Sequence, residues 1–163
     1  MNGMVWVRVL VGAVWLNGAI EKLLNPDFPQ QFATSLRAGG FVSQSPPFFQ
    51  SFMRGVVVPN AELFAQLMRV GELALGVALI LGLLTNLAAV GSVALSIVIM
   101  LSQGGVGLGT GLGSPELLTI NVLIALISVV ILLSPDAKDL SLDALLARKR
   151  RVLSLLLTNR RAM

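Results

Sequence analysis

Arg69 and Glu72 stand inside an apolar stretch, from Glu62 to Asn86, that is long enough to cross a bilayer. At a rise of about 1.5 Å per residue, Glu72 falls about 15 Å from the Glu62 end, near the middle of the hydrocarbon. A lone charge at that depth costs at least about 2.5–3.5 kcal/mol, so a partner or a water-filled cavity is expected. Arg69 and Glu72 are three positions apart and share a helix face, so part of that cost can be met within the helix. Two readings follow: an internal ion pair that orients helices, or a polar site within the membrane. Intramembrane carboxylates serve proton relays, which makes Glu72 the candidate catalytic group.

The chemistry open to the chain is narrow. Its 163 residues include no Cys, no His and no Tyr. That excludes thiol redox chemistry, disulfides, His-ligated haem, Cys-held iron–sulfur clusters and ordinary zinc sites, and it removes His as a general base. No metal and no covalently held cofactor is expected. Catalysis by this chain would use carboxylates, Lys, Arg, hydroxyls or a borrowed cofactor.

The elements that must position these groups are membrane helices. Hydrophobic residues make up 55% of the chain and charged residues 12%, against about 25% charged in soluble domains. With a mean hydropathy of +0.85, the chain reads as a single all-α integral membrane domain, a four-helix bundle. The spacing predicts spans over about residues 4–24, 62–84, 87–102 and 116–133. On the first, Arg8, Val11, Trp15, Gly18 and Lys22 form one stripe, with Asn17 and Glu21 beside it, and Asn25-Pro26 ends the helix. Arg8 and Lys22 are close enough to its ends to snorkel, and Asn17 lies at a depth suited to interhelical hydrogen bonding.

All seven phenylalanines fall between Phe28 and Phe64, in or beside the long connection 25–61. Short helices in the membrane interface, or folded back over the bundle as a lid, would bury those rings. Simple anchoring and a gate over a hydrophobic ligand are both open. In the third span Gly91, Ser92 and Ser96 are small packing positions. The glycine-rich run 103–115 lacks the context of a phosphate loop and reads as a close-packing connection, with Ser114-Pro115-Glu116 as a helix start.

Residues 141–158 read as an amphipathic basic helix lying on the membrane. Six of the 12 basic residues occupy the last sixteen positions, and Arg148, Lys149, Arg150 and Arg151 are expected against anionic lipid of the cytoplasmic leaflet, at about 1 kcal/mol each. Nucleic acid is not the expected partner. The positive-inside rule then puts both termini in the cytoplasm and the chain in the inner membrane, with the Phe-rich connection outside. In that topology Asn17, Glu21, Lys22, Arg69, Glu72 and Asn121 can converge in the outer half of the bundle, as a formally neutral ligand-binding candidate.

Arg8 followed by Trp15-Leu-Asn-Gly-Ala-Ile-Glu-Lys-Leu-Leu-Asn-Pro26, then Val58-Pro-Asn-Ala-Glu-Leu-Phe-Ala65, then Gly71-Glu-Leu-Ala-Leu-Gly-Val-Ala-Leu-Ile-Leu-Gly-Leu-Leu-Thr85, resemble the DoxX family of small four-helix membrane proteins. The resemblance covers about residues 5–147 and includes the tail Ser141-Leu-Asp-Ala-Leu145. Carried over by position, Arg8, Gly18, Lys22, Gly71, Glu72 and Gly76 are the family-motif residues. Two positions depart: Asn86 stands where members commonly carry Arg, and Ser141 replaces the Gly of the tail motif. One branch of the family supplies membrane subunits of a thiosulfate:quinone oxidoreductase. The resemblance therefore implies a membrane accessory subunit of a larger redox-linked complex, with partner subunits and without catalysis by this chain alone. The alternative is a quinone-interacting subunit that uses the Glu/Arg/Lys cluster. A small-molecule transporter ranks third, since no internal repeat or broken helix is evident.

Overall fold

The computed structural model describes residues 3–103 and 119–149. They are helical throughout, with no strand among them. Three helices are long and apolar enough to cross a membrane: α1 (Gly3–Leu24), α5 (Ala61–Leu81) and α6 (Thr85–Ser102). Between α1 and α5 run three short helices, α2 (Phe28–Arg37), α3 (Gly40–Gln44) and α4 (Pro47–Phe52), the last continuing into a π-helical turn, Met53–Val57. A further apolar helix, α7 (Ile120–Leu133), is followed by a 3-10 turn, Pro135–Lys138, and by α8 (Leu142–Lys149). The helix start expected at Ser114-Pro115-Glu116, the glycine-rich run from 104 onward and the tail beyond 149 lie outside the described residues. The described α7 begins behind Thr119, whose extended backbone and hydroxyl cap the helix by accepting from the Val122 amide at 3.4 Å.

The α1 and α5 stripes face one another. On α1 the buried residues are Val5, Arg8, Val11, Gly12, Trp15 and Ala19, and on α5 they are Ala61, Ala65, Arg69, Glu72, Gly76 and Leu79. Both series repeat at three and four positions, one face of a 3.6-residue helix. Two glycines set how close the helices come. A Cβ on Gly76 would lie 2.7 Å from the Leu16 amide nitrogen, and one on Gly12 would lie 2.9 Å from that of Ile80. Without a solvent-driven hydrophobic force inside a bilayer, such backbone proximity is a main source of helix association.

A polar chain fixes the other two helices to α1. The Trp15 indole donates to Ser92 Oγ on α6 at 2.7 Å, and Ser92 shares a 2.7 Å bond with Ser128 on α7. All three are buried, so each polar group finds its partner across a helix boundary.

The α5–α6 turn falls earlier than the sequence suggested. The predicted spans 62–84 and 87–102 leave the link at 85–86, whereas the turn runs over Gly82–Leu84 and α6 already starts at Thr85. Gly82 takes the left-handed conformation (φ 65°), and a Cβ there would collide with Ser141 and Arg8. The first amides of α6 are satisfied from far along the chain: Leu84 and Thr85 each donate to the Asp143 carboxylate at 2.7 Å. A distant side chain thus serves as the helix cap.

Candidate functional site: an aromatic cavity closed by an ion pair

Lys22 sits in the last turn of α1, Glu72 about midway along α5, and their charged atoms meet at 2.8 Å. Gly18 makes the meeting possible. A Cβ at Gly18 would come within 3.0 Å of Glu72 Oε2, so the carboxylate occupies the space a side chain would fill. Lys22 folds back along its own helix and also donates to the Gly18 carbonyl at 3.2 Å. The carboxylate is buried and the ammonium half-buried.

Arg69 does not pair with Glu72, although it lies three positions before it on the same helix. Its guanidinium donates to the backbone carbonyl of Asn25, just past the end of α1, and at 3.4 Å to Gln66 Oε1. Carbonyls at a helix C-terminus lack intrahelical donors and carry the negative end of the dipole, so a buried arginine finds a ready acceptor there. Phe28, the first residue of α2, presents its ring to both cations, 5.4 Å from the Arg69 guanidinium and 5.9 Å from Lys22 Nζ. Such cation–π contacts favour a desolvated cation.

The remaining residues of the expected cluster stand apart from the pair. Asn17 and Glu21 each precede a stripe residue by one position, a rotation of about 100° for a 3.6-residue turn, and both are exposed. Asn121 is buried at the start of α7 and donates to Gln103 Oε1 at 3.1 Å. Among the described residues it is linked to the site through Gln103.

Above the pair opens a cavity of about 760 Å³. Lys22 and Glu72 line it together with five phenylalanines: Phe28, Phe32, Phe49, Phe52 and Phe64. The rings support one another, Phe28 stacked on Phe32 at 5.8 Å and Phe49 tilted on Phe52 at 5.5 Å. The expected clustering of aromatics thus forms a wall over the charged pair. Small residues, Gly71 and Ala74 on α5 and Gly91 and Ala94 on α6, widen the space between those helices. A Cβ at Gly71 would meet nothing within 4 Å. Leu67 and Val98, also on the wall, are exposed, so the cavity reaches the apolar flank of the protein between α5 and α6. Gln103 and Ser102 add polar atoms at its rim. A large apolar space with a few convergent polar groups is the usual form of a site for a lipophilic small molecule.

A second polar centre lies at the opposite end. Arg8, expected to snorkel, is instead only 1% exposed and donates to the carbonyls of Ala137 at 2.9 Å and Leu140 at 3.4 Å. The 3-10 turn and the start of α8 fold over it. Lys138 and Asp143 are buried there too. Burial pushes the Lys138 ammonium below its ordinary range, with Asp143 drawing it partly back. Ser141 caps α8 by accepting from the Ala144 amide at 3.0 Å. Sequence spacing gave no sign that Asp143 caps α6: Thr85 and Asn86 offer local caps there, whereas the structure puts Leu84 at the cap position and takes the acceptor from Asp143. Arg148 and Lys149 belong to α8, and Arg150 and Arg151 lie outside the described residues. Among the described residues no group of His, Cys, Asp and Glu could hold a metal ion.

No curated protein and no solved structure matches the chain. Residues 4–159 match the family described as TQO small subunit DoxD, a DoxX-like group. That match spans nearly the whole sequence and includes both polar centres: the chain belongs to the DoxD family of membrane proteins.

Proposed function

We propose that this chain is the quinone-binding membrane subunit of a thiosulfate:quinone oxidoreductase-type complex. One observation carries the reading: a cavity of about 760 Å³, walled by five phenylalanines, has the Lys22–Glu72 ion pair on its lining and reaches the apolar flank between α5 and α6. A quinone is an aromatic head on a lipid tail. The rings suit the head, the gap between α5 and α6 suits the tail, and the substrate enters from the bilayer without crossing water.

Quinone reduction takes up protons as well as electrons. The electrons come from a partner subunit, and this chain holds the head and moves protons. Lys22 Nζ donates to a carbonyl oxygen of the head and stabilises negative charge as it develops there, in a desolvated site where one such contact counts for more than in water. As Lys22 turns to the head, the Glu72 carboxylate takes up a proton through the polar rim at Ser102 and Gln103, passes it to the reduced head and returns to the ionised form that pairs with Lys22. Arg69 and Phe28 hold the end of α1 against α5 so that both groups keep their places.

In the same reading α7 completes a four-helix bundle in the cytoplasmic membrane. Both termini face the cytoplasm, and Arg148, Lys149, Arg150 and Arg151 meet anionic lipid.

The test is the intact complex, purified in mild detergent and assayed for bound quinone and quinone-dependent turnover. Glu72→Gln should lower turnover about 100-fold or more while the complex still assembles, as expected for loss of a positioned acid–base group. The buried neutral chain Trp15–Ser92–Ser128 and the close α1–α5 crossing also favour an accessory role. On that second reading Glu72→Gln reduces assembly and leaves turnover per assembled complex unchanged, and that outcome would remove quinone from this chain.

A further inference from the structure

Beside the aromatic cavity lies a smaller pocket of about 220 Å³, on the outside of the short-helix layer. Arg37, in the last turn of α2, and Arg54, in the π-helical turn after α4, both line it, over a floor of Leu36, Val42 and Val58. Both arginines are exposed. The Lys22–Glu72 bridge is the one ion pair among the described residues, so neither guanidinium is neutralised by a described acid. Nor does the nearby sequence supply one: Asp27 is the only acid between Asn25 and Asn60, and it is not part of the pocket.

We propose that Arg37 and Arg54 form a binding site for a phosphate- or sulfate-type oxyanion. A guanidinium presents a planar fork of donors that matches tetrahedral oxyanions, and two forks on separate elements can hold one such group from two sides. At about 30 Å³ per water, the pocket has room for one oxyanion and its remaining hydration, but not for a large aromatic head with a tail. The two arginines belong to different parts of the layer, and Leu36 lies on the wall of both the small pocket and the aromatic cavity. An anion bridging Arg37 to Arg54 therefore ties α2 to the π-helical turn directly over the cavity. The site does not depend on what fills that cavity.

The oxyanion has two sources, a phospholipid headgroup or a free ion, and the full-length chain distinguishes them. In detergent, sodium sulfate is titrated against sodium chloride at equal ionic strength and the thermal midpoint is followed. In parallel, the chain is placed in nanodiscs of mixed phosphatidylcholine and phosphatidylglycerol, and retained lipid is read by native mass spectrometry. A saturable rise with sulfate that needs at least tenfold more sulfate in R37Q or R54Q, and vanishes in R37Q/R54Q, assigns a free oxyanion. Selective retention of phosphatidylglycerol that R37Q/R54Q loses assigns a lipid headgroup. R37K/R54K should keep charge yet bind more weakly, because Lys cannot form the fork. Since both side chains are exposed, the midpoint in chloride should stay near that of the unmodified chain. No sulfate or lipid response in the unmodified chain, or equal responses in R37Q/R54Q, overturns the proposal.

Discussion

Lys22 of α1 and Glu72 of α5 meet at 2.8 Å although 50 residues separate them, and Gly18, one turn before Lys22, leaves the space in which they meet. Removing one partner of a buried pair strands the other, at about 3–5 kcal/mol. Lys22→Met or Glu72→Leu alone should therefore lower stability sharply, the exposed side of Lys22 softening its share. The double variant should recover much of the loss, and a double-mutant cycle of unfolding in detergent measures the coupling. Additive losses would show that the two groups act separately.

Two glycines on α5 should behave in opposite ways. Gly76→Ala drives a methyl into the Leu16 backbone and should cost about 1–3 kcal/mol by overpacking, visible as a lower thermal midpoint. Gly71→Ala meets nothing within 4 Å and should fold normally. Gly71→Leu, filling the cavity at its wall, should leave the midpoint nearly unchanged and weaken binding of a short-tailed quinone at least tenfold in equilibrium titration.

Asp143→Ala should be among the most damaging changes in the tail. It removes the acceptor for the Leu84 and Thr85 amides, together with the buried negative charge that acts on Arg8 and Lys138 without pairing with either. A loss of about 1.5–3 kcal/mol for each charge-assisted hydrogen bond is expected. Asp143→Asn, which keeps one acceptor oxygen, should lose less. Hydrogen exchange at Leu84 and Thr85 reports the cap directly.

The depressed Lys138 ammonium predicts a pH dependence whose sign is fixed. Between its lowered value in the folded protein and the unfolded value of about 10.4, the unfolded chain binds more protons, so stability rises with pH through that window. As pH rises toward about 10, the thermal midpoint should climb more steeply in the unmodified chain than in Lys138→Met. Equal slopes would assign the dependence to other groups.

Ser92→Ala should cut the chain from Trp15 to Ser128 at its centre. Interhelical bonds of this kind within a membrane contribute about 0.6 kcal/mol, up to about 1.7. With exposed Trp6 replaced by Phe, the emission of Trp15 isolates the change in its surroundings.

Much of this architecture is legible in residue spacing. The α1 stripe of Arg8, Val11, Trp15, Gly18 and Lys22 is turned inward, because a period near 3.6 puts those positions on one face. Crowding of phenylalanines into one connection, where no solvated loop would keep them, marks a layer that must cover something apolar. Pairing across helices was not legible. Whether Glu72 meets Arg69 or Lys22 depends on the register of α1 against α5, and that register rests on Gly12 and Gly76 touching backbone on the opposite helix. The burial of Arg8 depends likewise on a segment about 130 residues later folding back over it.

The Asp143 cap also imposes an order on biogenesis. Amides of Leu84 and Thr85 emerge during synthesis 58 or 59 residues before the carboxylate that will accept from them. At the usual about 5–20 residues per second, the α5–α6 hairpin waits several seconds with its first amides served only by interfacial water. The hairpin is therefore completed last from its closed end. A chain truncated before Asp143 presents a frayed loop at that end, which is the form in which membrane quality-control proteases would meet it.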